Sequence, residues 1–297
     1  MRNDNRRRAM PLVVVGTIAL VMAGCSSSSS SSGASVAYYV SLGDSYAVGY
    51  QPLPTPHASP GYAGYVATTV HLRLANFGCA GATSASILQT SGCAGRVAAT
   101  DAVTYADEPQ ATAAEAFIRK HRGSIALVTV SIGGNDVTRC ATVANPISCF
   151  FSSVNTAKAN ITELAKGLRA AAGPGVPIIG LTYPDVLLGL WVHPATSPDK
   201  SLAAVSVTGF QGELNPALKS AYATAGAKFV DITAATGAYT PLDQMTTLSP
   251  YGEIPVAVAQ VCKLTWYCAV GSVHANTDGY SFIGQQIVAE YAKLSHP

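Results

Sequence analysis

The sequence predicts an α/β domain in which helices cover both faces of a parallel sheet. Short apolar segments alternate along the chain with longer segments of helical periodicity, which is the pattern of such a sheet. Of the 297 residues, 48% are hydrophobic, which is enough for one large core. Functional groups of such folds gather at the carboxyl ends of the strands, at the point where the strand order reverses.

The predicted elements follow one another in a regular order. We expect strands over Val36–Leu42, Leu74–Phe77, Ile125–Ser131, Val176–Thr182 and Lys228–Ile232. We expect helices near Tyr65–Leu72 and over Ala111–His121, Val154–Ala172, Leu214–Ala225 and Tyr280–Leu294. Residues 36–297 contain no further linker and no internal repeat, so a single domain is expected there.

The first 35 residues have the composition of an export signal followed by a tether. Four arginines precede the short apolar run Pro11–Ala23, which predicts a signal peptide over residues 1–24. The sequence Met-Ala-Gly-Cys at 22–25 resembles a bacterial lipobox, so Cys25 is the expected lipidation site. A serine-rich tether then extends over 25–35. The segment predicts a protein held by lipid at the extracytoplasmic face of the cell membrane; the alternative is an ordinary cleaved signal with an incidental cysteine.

The charge of the chain indicates which partners to expect. The formal net charge is +2, and removing residues 1–24 takes away four Arg and one Asp, leaving 14 basic and 15 acidic residues. No basic face remains to bind nucleic acid. We therefore expect no nucleic-acid partner. The domain is also expected to be a monomer.

Six of the seven cysteines remain once Cys25 is assigned to lipid. They allow fifteen disulfide connectivities, and pairing neighbours in sequence closes the shortest loops. The favoured set is Cys79–Cys93, Cys140–Cys149 and Cys262–Cys268. A structural zinc site is the alternative, although no C-x-x-C pair and no clustered histidine supports it.

The segment Ser41–Tyr46, with the sequence SLGDSY, directly follows the first predicted strand. A serine at a strand-to-helix turn lies at the carboxyl edge of the sheet, and its N–H can face a developing negative charge. Ser45 is therefore a candidate nucleophile. The same Gly-Asp-Ser sequence also occurs in turns that only cap a helix.

Two further segments follow predicted strands and carry candidate oxyanion donors. Ser131–Asp136, with the sequence SIGGND, presents the carboxamide of Asn135 at the same edge of the sheet. Cys79–Thr83, with the sequence CAGAT, contains Gly81, whose N–H can approach a ligand closely. Each segment taken alone is equally consistent with an ordinary loop.

A fourth segment, Ser272–Asn276 with the sequence SVHAN, precedes the last predicted helix. Of the six histidines, only His274 has this position after the last strand. A lone histidine is more often a packing or surface residue than a general base. Its candidacy therefore depends on the other three segments.

Together, in order and spacing, these four segments resemble the signature blocks of the SGNH/GDSL hydrolase family. The chain is similar to the extracellular actinobacterial branch of esterases and lipases that carry three short-loop disulfides. The resemblance covers Val36–Pro297 and implies a three-layer α/β/α sandwich of flavodoxin-like order. It also implies hydrolysis of carboxylic esters without a metal or cofactor.

The resemblance assigns roles to the quoted residues. Ser45 is the implied nucleophile, and His274 is the implied general base and then general acid. The N–H groups of Ser45 and Gly81 and the side chain of Asn135 are the implied oxyanion hole.

The chain departs from the family pattern around the histidine. The family's last block usually reads Asp-x-x-His-Pro, but Gly271 occupies the place of the Asp and Ala275 the place of the Pro. We therefore expect a Ser45–His274 dyad in which the backbone carbonyl of Gly271 or Ser272 orients the imidazole.

Other carboxylates and other functions remain open from the sequence. Nothing in the spacing of Asp231 or Asp243 places either at the histidine, and Asp278 suits a cap of the closing helix. A catalytically silent ligand-binding lipoprotein is the alternative outside enzymes. Within the family, the alternatives to a lipase or carboxylesterase are a carbohydrate deacetylase, a thioesterase and a phospholipase.

Overall fold

The structure, a computed structural model, describes Met1 and residues 36–193 and 199–295. The predicted signal peptide beyond Met1, Cys25 and the tether lie outside these residues, so their assignments stay predictions. The chain from Val36 onward forms one compact unit. No helix within the described ranges is long and apolar enough to cross a membrane.

Five strands form a parallel sheet, and four further strands form two antiparallel ribbons. The described strands are β1 (Tyr38–Gly43), β2 (Tyr50–Gln51), β3 (His57–Ala58), β4 (Arg73–Asn76), β5 (Ile125–Ser131), β6 (Ile178–Leu181), β7 (Lys228–Val230), β8 (Met245–Leu248) and β9 (Gly252–Pro255). The sheet order is β4-β1-β5-β6-β7, and β2–β3 and β8–β9 are the ribbons.

Helices connect the strands of the sheet and close the chain. The described α-helices are α1 (Ser45–Val48), α2 (Gly61–Thr69), α3 (Ser86–Gln89), α4 (Gln110–Lys120), α5 (Gly134–Thr138), α6 (Pro146–Ala172), α7 (Lys200–Gly209), α8 (Asn215–Ala223), α9 (Ile232–Ala235), α10 (Val256–Leu264), α11 (Tyr267–Val270) and α12 (Thr277–Ser295). Arg139–Thr142 and Val186–Trp191 are 3₁₀ turns, and Phe210–Leu214 is a π-helical turn between α7 and α8.

The order of the sheet strands fixes where a site can form. Numbered along the chain, the five strands run 2-1-3-4-5, which is the flavodoxin-like order that the family resemblance implies. The order reverses between β1 and β5, which pair in register from Tyr39↔Leu127 to Gly43↔Ser131. The carboxyl ends of these two strands therefore lie side by side at the switch point.

The core lies in two layers, one on each face of the sheet. Val40 and Leu42 of β1 pack with residues of α4, α6 and α8, whereas Tyr39 points to the other face and packs with α2 and α12. Both faces of β1 and β5 are buried, which explains their nearly continuous apolar sequences. The predicted three-layer α/β/α architecture is confirmed.

Some boundaries and some elements differ from the sequence prediction. α6 begins at Pro146 rather than Val154, because proline suits the first turn of a helix. α7, α10 and the β8–β9 ribbon were not predicted from the sequence. α10 is a nine-residue, mostly apolar segment in a separate small core, and periodicity alone does not distinguish a short apolar helix from a buried strand.

The three predicted disulfides are confirmed. Cys79–Cys93, Cys140–Cys149 and Cys262–Cys268 join residues 14, 9 and 6 positions apart, with Cα–Cα distances of 5.8, 5.5 and 5.1 Å. Their pairing excludes the zinc alternative, because a disulfide sulfur is not a thiolate ligand. Such bonds persist in oxidising compartments, which is consistent with export.

Candidate active site

Ser45 is the first residue of α1 and directly follows the turn that ends β1. Gly43 makes this turn possible: its φ is +140°, and a Cβ there would collide with the carbonyl oxygen of Ser131 on the neighbouring strand. The buried side chain of Gln110 accepts from the Gly43 N–H (2.6 Å) and donates to its carbonyl (3.1 Å). The backbone before Ser45 is thus fixed from both sides.

Asp44 caps α1 and collects donors from three parts of the chain. Its Oδ1 accepts from the Tyr46 N–H (2.9 Å), and its Oδ2 accepts from the Tyr183 hydroxyl (2.6 Å) and from Asn135 Nδ2 (3.5 Å). Burial raises the pKa of Asp44 to about 7, while the hydrogen bonds from Tyr183 and Tyr46 act in the opposite direction. The Gly-Asp-Ser turn is therefore both a helix cap and a support for Ser45.

Asn135 stands on α5, one turn beyond the end of β5. Its Nδ2 donates to the carbonyl of Ala82 at 2.9 Å, and the buried carboxylate of Asp136 accepts from both the N–H and the hydroxyl of Ser84 (2.9 and 2.6 Å). These bonds hold the loop that contains Gly81 against α5. Gly81 itself is exposed.

The two backbone N–H groups predicted for an oxyanion hole, those of Ser45 and Gly81, have no acceptor among the described residues. Ser45 is at the N-terminus of a helix, where backbone N–H groups have no intrahelical partner. Within the described part of the chain, the N–H groups of Ser45 and Gly81 are therefore free to donate to a ligand.

His274 lies in the loop before α12, and its backbone is anchored on both sides. The Trp266 N–H donates to the His274 carbonyl at 2.9 Å, and the Tyr46 hydroxyl donates to the Val273 carbonyl at 2.7 Å. The ring packs against Tyr50 with centroids 4.2 Å apart. Burial lowers the pKa of His274 to about 4, so the imidazole is neutral at pH 7 and able to accept a proton.

The contact at Nδ1 of His274 differs from the sequence expectation. Nδ1 lies 2.9 Å from the side-chain hydroxyl of Ser272. No hydrogen bond from this ring to the carbonyl of Gly271 or Ser272 occurs among the described residues. The sequence reasoning placed the orienting group on the backbone and missed the hydroxyl.

The three aspartates left open by the sequence have other places in the structure. Asp231 caps α9 and accepts from Asn215 at 3.0 Å, whereas Asp243 and Asp278 are exposed. The cap expected from Asp278 is supplied by Asn276, whose Oδ1 accepts from the Gly279 N–H at 2.9 Å. Asp278 instead follows in the first turn of α12, where its charge suits the helix dipole.

Ser45 and Asn135 open onto one cleft at the switch point. The cleft holds about 440 Å³ of empty space, including its open mouth, and Val273, next to His274, contributes to its wall. Most of the remaining wall is apolar and comes from α5, the loop after β6 and the π-helical turn: Val137, Pro184, Val186, Phe210 and Leu214. The structure thus places three of the four sequence segments around one space.

A family model described as GDSL-like lipase/acylhydrolase matches residues 41–282. The chain belongs to this family. Its members, as the description states, are lipases and acylhydrolases, and the chain is accordingly an ester-hydrolysing enzyme by family. A search of curated proteins found no match.

One solved structure with a TM-score above 0.5 shows a similar fold at low sequence identity, and two further structures match less closely. The lipase Lip_vut3 from a goat rumen metagenome is 16% identical, with 87% of this chain and 100% of that chain covered and a TM-score of 0.54. An extracellular lipase from Streptomyces rimosus is 19% identical, with coverage of 86% and 100% and a TM-score of 0.44. A phospholipase A1 from Streptomyces albidoflavus NA297 is 19% identical, with coverage of 69% and 83% and a TM-score of 0.41.

The sequence reasoning also missed Tyr183, which is buried beside the cleft. Its hydroxyl donates to Asp44, and its ring lies 3.0 Å from the position that a Cβ on Gly134 would take. Tyr183 therefore holds the Asp44 turn and packs against the first residue of α5. Its position two residues after β6, at the carboxyl edge of the sheet, was the available signal.

Proposed function

We propose that the chain is a serine esterase or lipase that hydrolyses carboxylic esters with Ser45 and His274. The observation that carries the proposal is the cleft at the switch point. Ser45 and Asn135 both line it, and the Tyr46 hydroxyl ties the loop of His274 to the helix that begins with Ser45. A hydroxyl, a neutral imidazole and a set of N–H donors are the groups that acyl transfer requires.

The reaction then proceeds in two halves. Ser45 Oγ attacks the ester carbonyl carbon, His274 Nε2 takes the hydroxyl proton, and the carbonyl oxygen becomes an oxyanion facing the N–H groups of Ser45 and Gly81 and the amide of Asn135. Collapse breaks the bond to the alcohol oxygen, which leaves with the proton from His274. Water, deprotonated by His274, attacks the acyl-enzyme in the same way, releasing the acid and restoring Ser45.

The cleft favours an apolar acyl group over a sugar. The apolar contacts come from Phe210 and Leu214 of the π-helical turn and from Val186, the first residue of a 3₁₀ turn. Each methylene of a substrate that these side chains bury favours binding by about 0.8 kcal/mol. A carbohydrate would require several polar groups in the same wall. This supports the lipase or carboxylesterase alternative over the deacetylase.

The first test is Ser45→Ala, assayed with a soluble chromogenic ester. We expect a loss on the order of 10⁶ in kcat, as for a protease nucleophile, with folding unchanged. Ser59→Ala is the matched control, because that hydroxyl is also partly buried but donates to the Gly49 carbonyl. Residual turnover of Ser45→Ala above about a hundredth of wild type would place the nucleophile elsewhere.

A substrate series separates the remaining alternatives. Acyl esters of increasing chain length, acetylated sugars, a thioester and a phospholipid would be compared by kcat/KM. We expect apolar acyl esters longer than acetate to be preferred. A wild-type protein that turns over none of these substrates would instead support the silent binding lipoprotein.

We also propose that the enzyme is exported and anchored by lipid on Cys25 as a monomer. The three disulfides support export, and the sequence at 22–25 supports the anchor. Cys25→Ala should move the enzyme from the membrane fraction to the medium. An unmodified Cys25 in membrane-associated protein would contradict the anchor.

A further inference from the structure

The position that holds the acid in the family pattern is closed in this chain. Gly271 ends α11 with a φ of +73°, and its N–H donates to the Tyr267 carbonyl at 2.7 Å. A Cβ on Gly271 would lie 2.7 Å from Nε2 of His193, a buried side chain. An aspartate at 271 would therefore need both a backbone conformation that side chains rarely adopt and a displacement of His193.

We propose that the side-chain hydroxyl of Ser272 positions His274 by accepting its Nδ1–H, in the role that a carboxylate has in a triad. This inference rests on the proposed function. Its basis is the 2.9 Å contact between Ser272 Oγ and His274 Nδ1. Ser272 is next to Gly271, the position at which His193 leaves no room for the aspartate of the family pattern. Ser272 does not touch the reacting atoms, so it is a positioning residue.

The direction of this hydrogen bond follows from the chemistry of the ring. To take the proton of Ser45, Nε2 must carry a lone pair, so the proton of the neutral ring must be on Nδ1. Once Nε2 is protonated, both ring nitrogens are donors. The Nδ1–H then donates to Ser272 Oγ. The hydrogen bond therefore strengthens as the imidazolium forms, which lowers the barrier rather than the substrate affinity.

A hydroxyl is sufficient here because other contacts already fix the ring. Tyr50 packs on its face, and the carbonyls of Val273 and His274 are held by Tyr46 and Trp266. The tautomer of the ring still has to be fixed, and a single acceptor at Nδ1 is enough to favour the tautomer that carries its proton on Nδ1. Because the acceptor is neutral, its loss should cost much less than the ~10⁴ in kcat that follows replacement of a triad Asp.

The test compares Ser272→Ala with Ser272→Thr, which keeps the hydroxyl. We expect Ser272→Ala to lower kcat by about 10- to 100-fold, the range for a hydrogen bond to a charged group, with KM within threefold. Ser272→Thr should recover most of the loss. Ser281→Ala is the matched control, because its hydroxyl bonds only within α12. In ¹⁵N NMR of the wild type at pH 7, the ring of His274 should carry its proton on Nδ1, and this preference should weaken in Ser272→Ala.

Three results would overturn the inference. They are wild-type kcat in folded Ser272→Ala, an unchanged tautomer in that variant, and a proton on Nε2 in the wild type. The last can be measured even if the variant does not fold. Failure of the proposed function is distinct, because it would appear as activity in Ser45→Ala or His274→Ala.

Discussion

The two sides of the cleft are built differently. On the nucleophile side, the buried carboxylate of Asp44 accepts hydrogen bonds from Tyr46, Tyr183 and Asn135, and a second buried carboxylate, Asp136, holds the neighbouring loop. On the histidine side, the contacts of His274 are a neutral hydroxyl, an aromatic face and backbone hydrogen bonds.

The difference follows from what each side must do. The oxyanion donors have to keep a fixed geometry before charge develops, and buried hydrogen bonds provide that rigidity. The imidazole has to be neutral before it takes a proton; burial lowers its pKa, which keeps it neutral at pH 7 but also makes it a weaker base. The comparison predicts that changes on the two sides will differ in size and in their dependence on pH.

The largest effect in this comparison is expected from Asn135→Ala. Loss of one oxyanion donor should lower kcat by about 10²- to 10³-fold with little change in KM. The matched control is Asn160→Ala, because its carboxamide donates to Ser84 at 2.9 Å, one step further from the cleft. A loss of less than tenfold in Asn135→Ala would remove its amide from the oxyanion hole.

The two sides should also change the stability of the fold with pH in opposite directions. The folded pKa of His274 is about 4 against 6.5, so its stabilising effect is present above pH 6.5 and is lost as the pH falls towards 4. The folded pKa of Asp44 is about 7 against 3.8, so its effect is present below pH 3.8 and is lost as the pH rises through 7. Each effect is on the order of 3 kcal/mol at full size.

Urea unfolding between pH 4 and pH 8 would measure these effects. In the wild type, His274 makes the free energy of unfolding increase with rising pH, and this increase should be absent in His274→Gln. Asp44 makes it decrease with rising pH, and this decrease should be absent in Asp44→Asn. If both variants keep the wild-type pH profile of stability, neither group has the shifted pKa on which the comparison rests.

The smallest effect is expected from Gly271→Asp, which restores the family pattern Asp-x-x-His. We expect no gain in kcat and a loss of about 2 kcal/mol in the free energy of unfolding, because of the positive φ and the contact with His193. Gly226→Asp tests φ alone, since its φ is +63° with nothing within 4 Å of its Cβ position. A kcat above wild type in Gly271→Asp would show that the acid position is open after all.

The strands of the parallel sheet were predictable from local pattern, whereas their order followed from the family resemblance. Strands such as Ile125–Ser131 are continuous apolar runs, because parallel strands are buried on both faces, and this prediction matches the structure in its bounds. The helix α10 was missed, because a short and mostly apolar segment reads equally well as a buried strand. The disulfides were predictable because each closes a short loop.

Some residues of the candidate site were also predictable from the sequence, and others were not. Ser45, Gly81, Asn135 and His274 lie in contiguous segments whose order could be matched to a family, so the sequence by itself determined the class of chemistry and the residues to test. The groups that support them are distant in the chain. The Tyr183 hydroxyl donates to Asp44 across 139 residues, and His193, which belongs to a different segment, fills the space next to Gly271. Which hydroxyl or carboxylate can reach an imidazole depends on backbone conformation and on the space left by such distant side chains. Only the tertiary structure decided that the acid position is closed and that Ser272 stands at Nδ1.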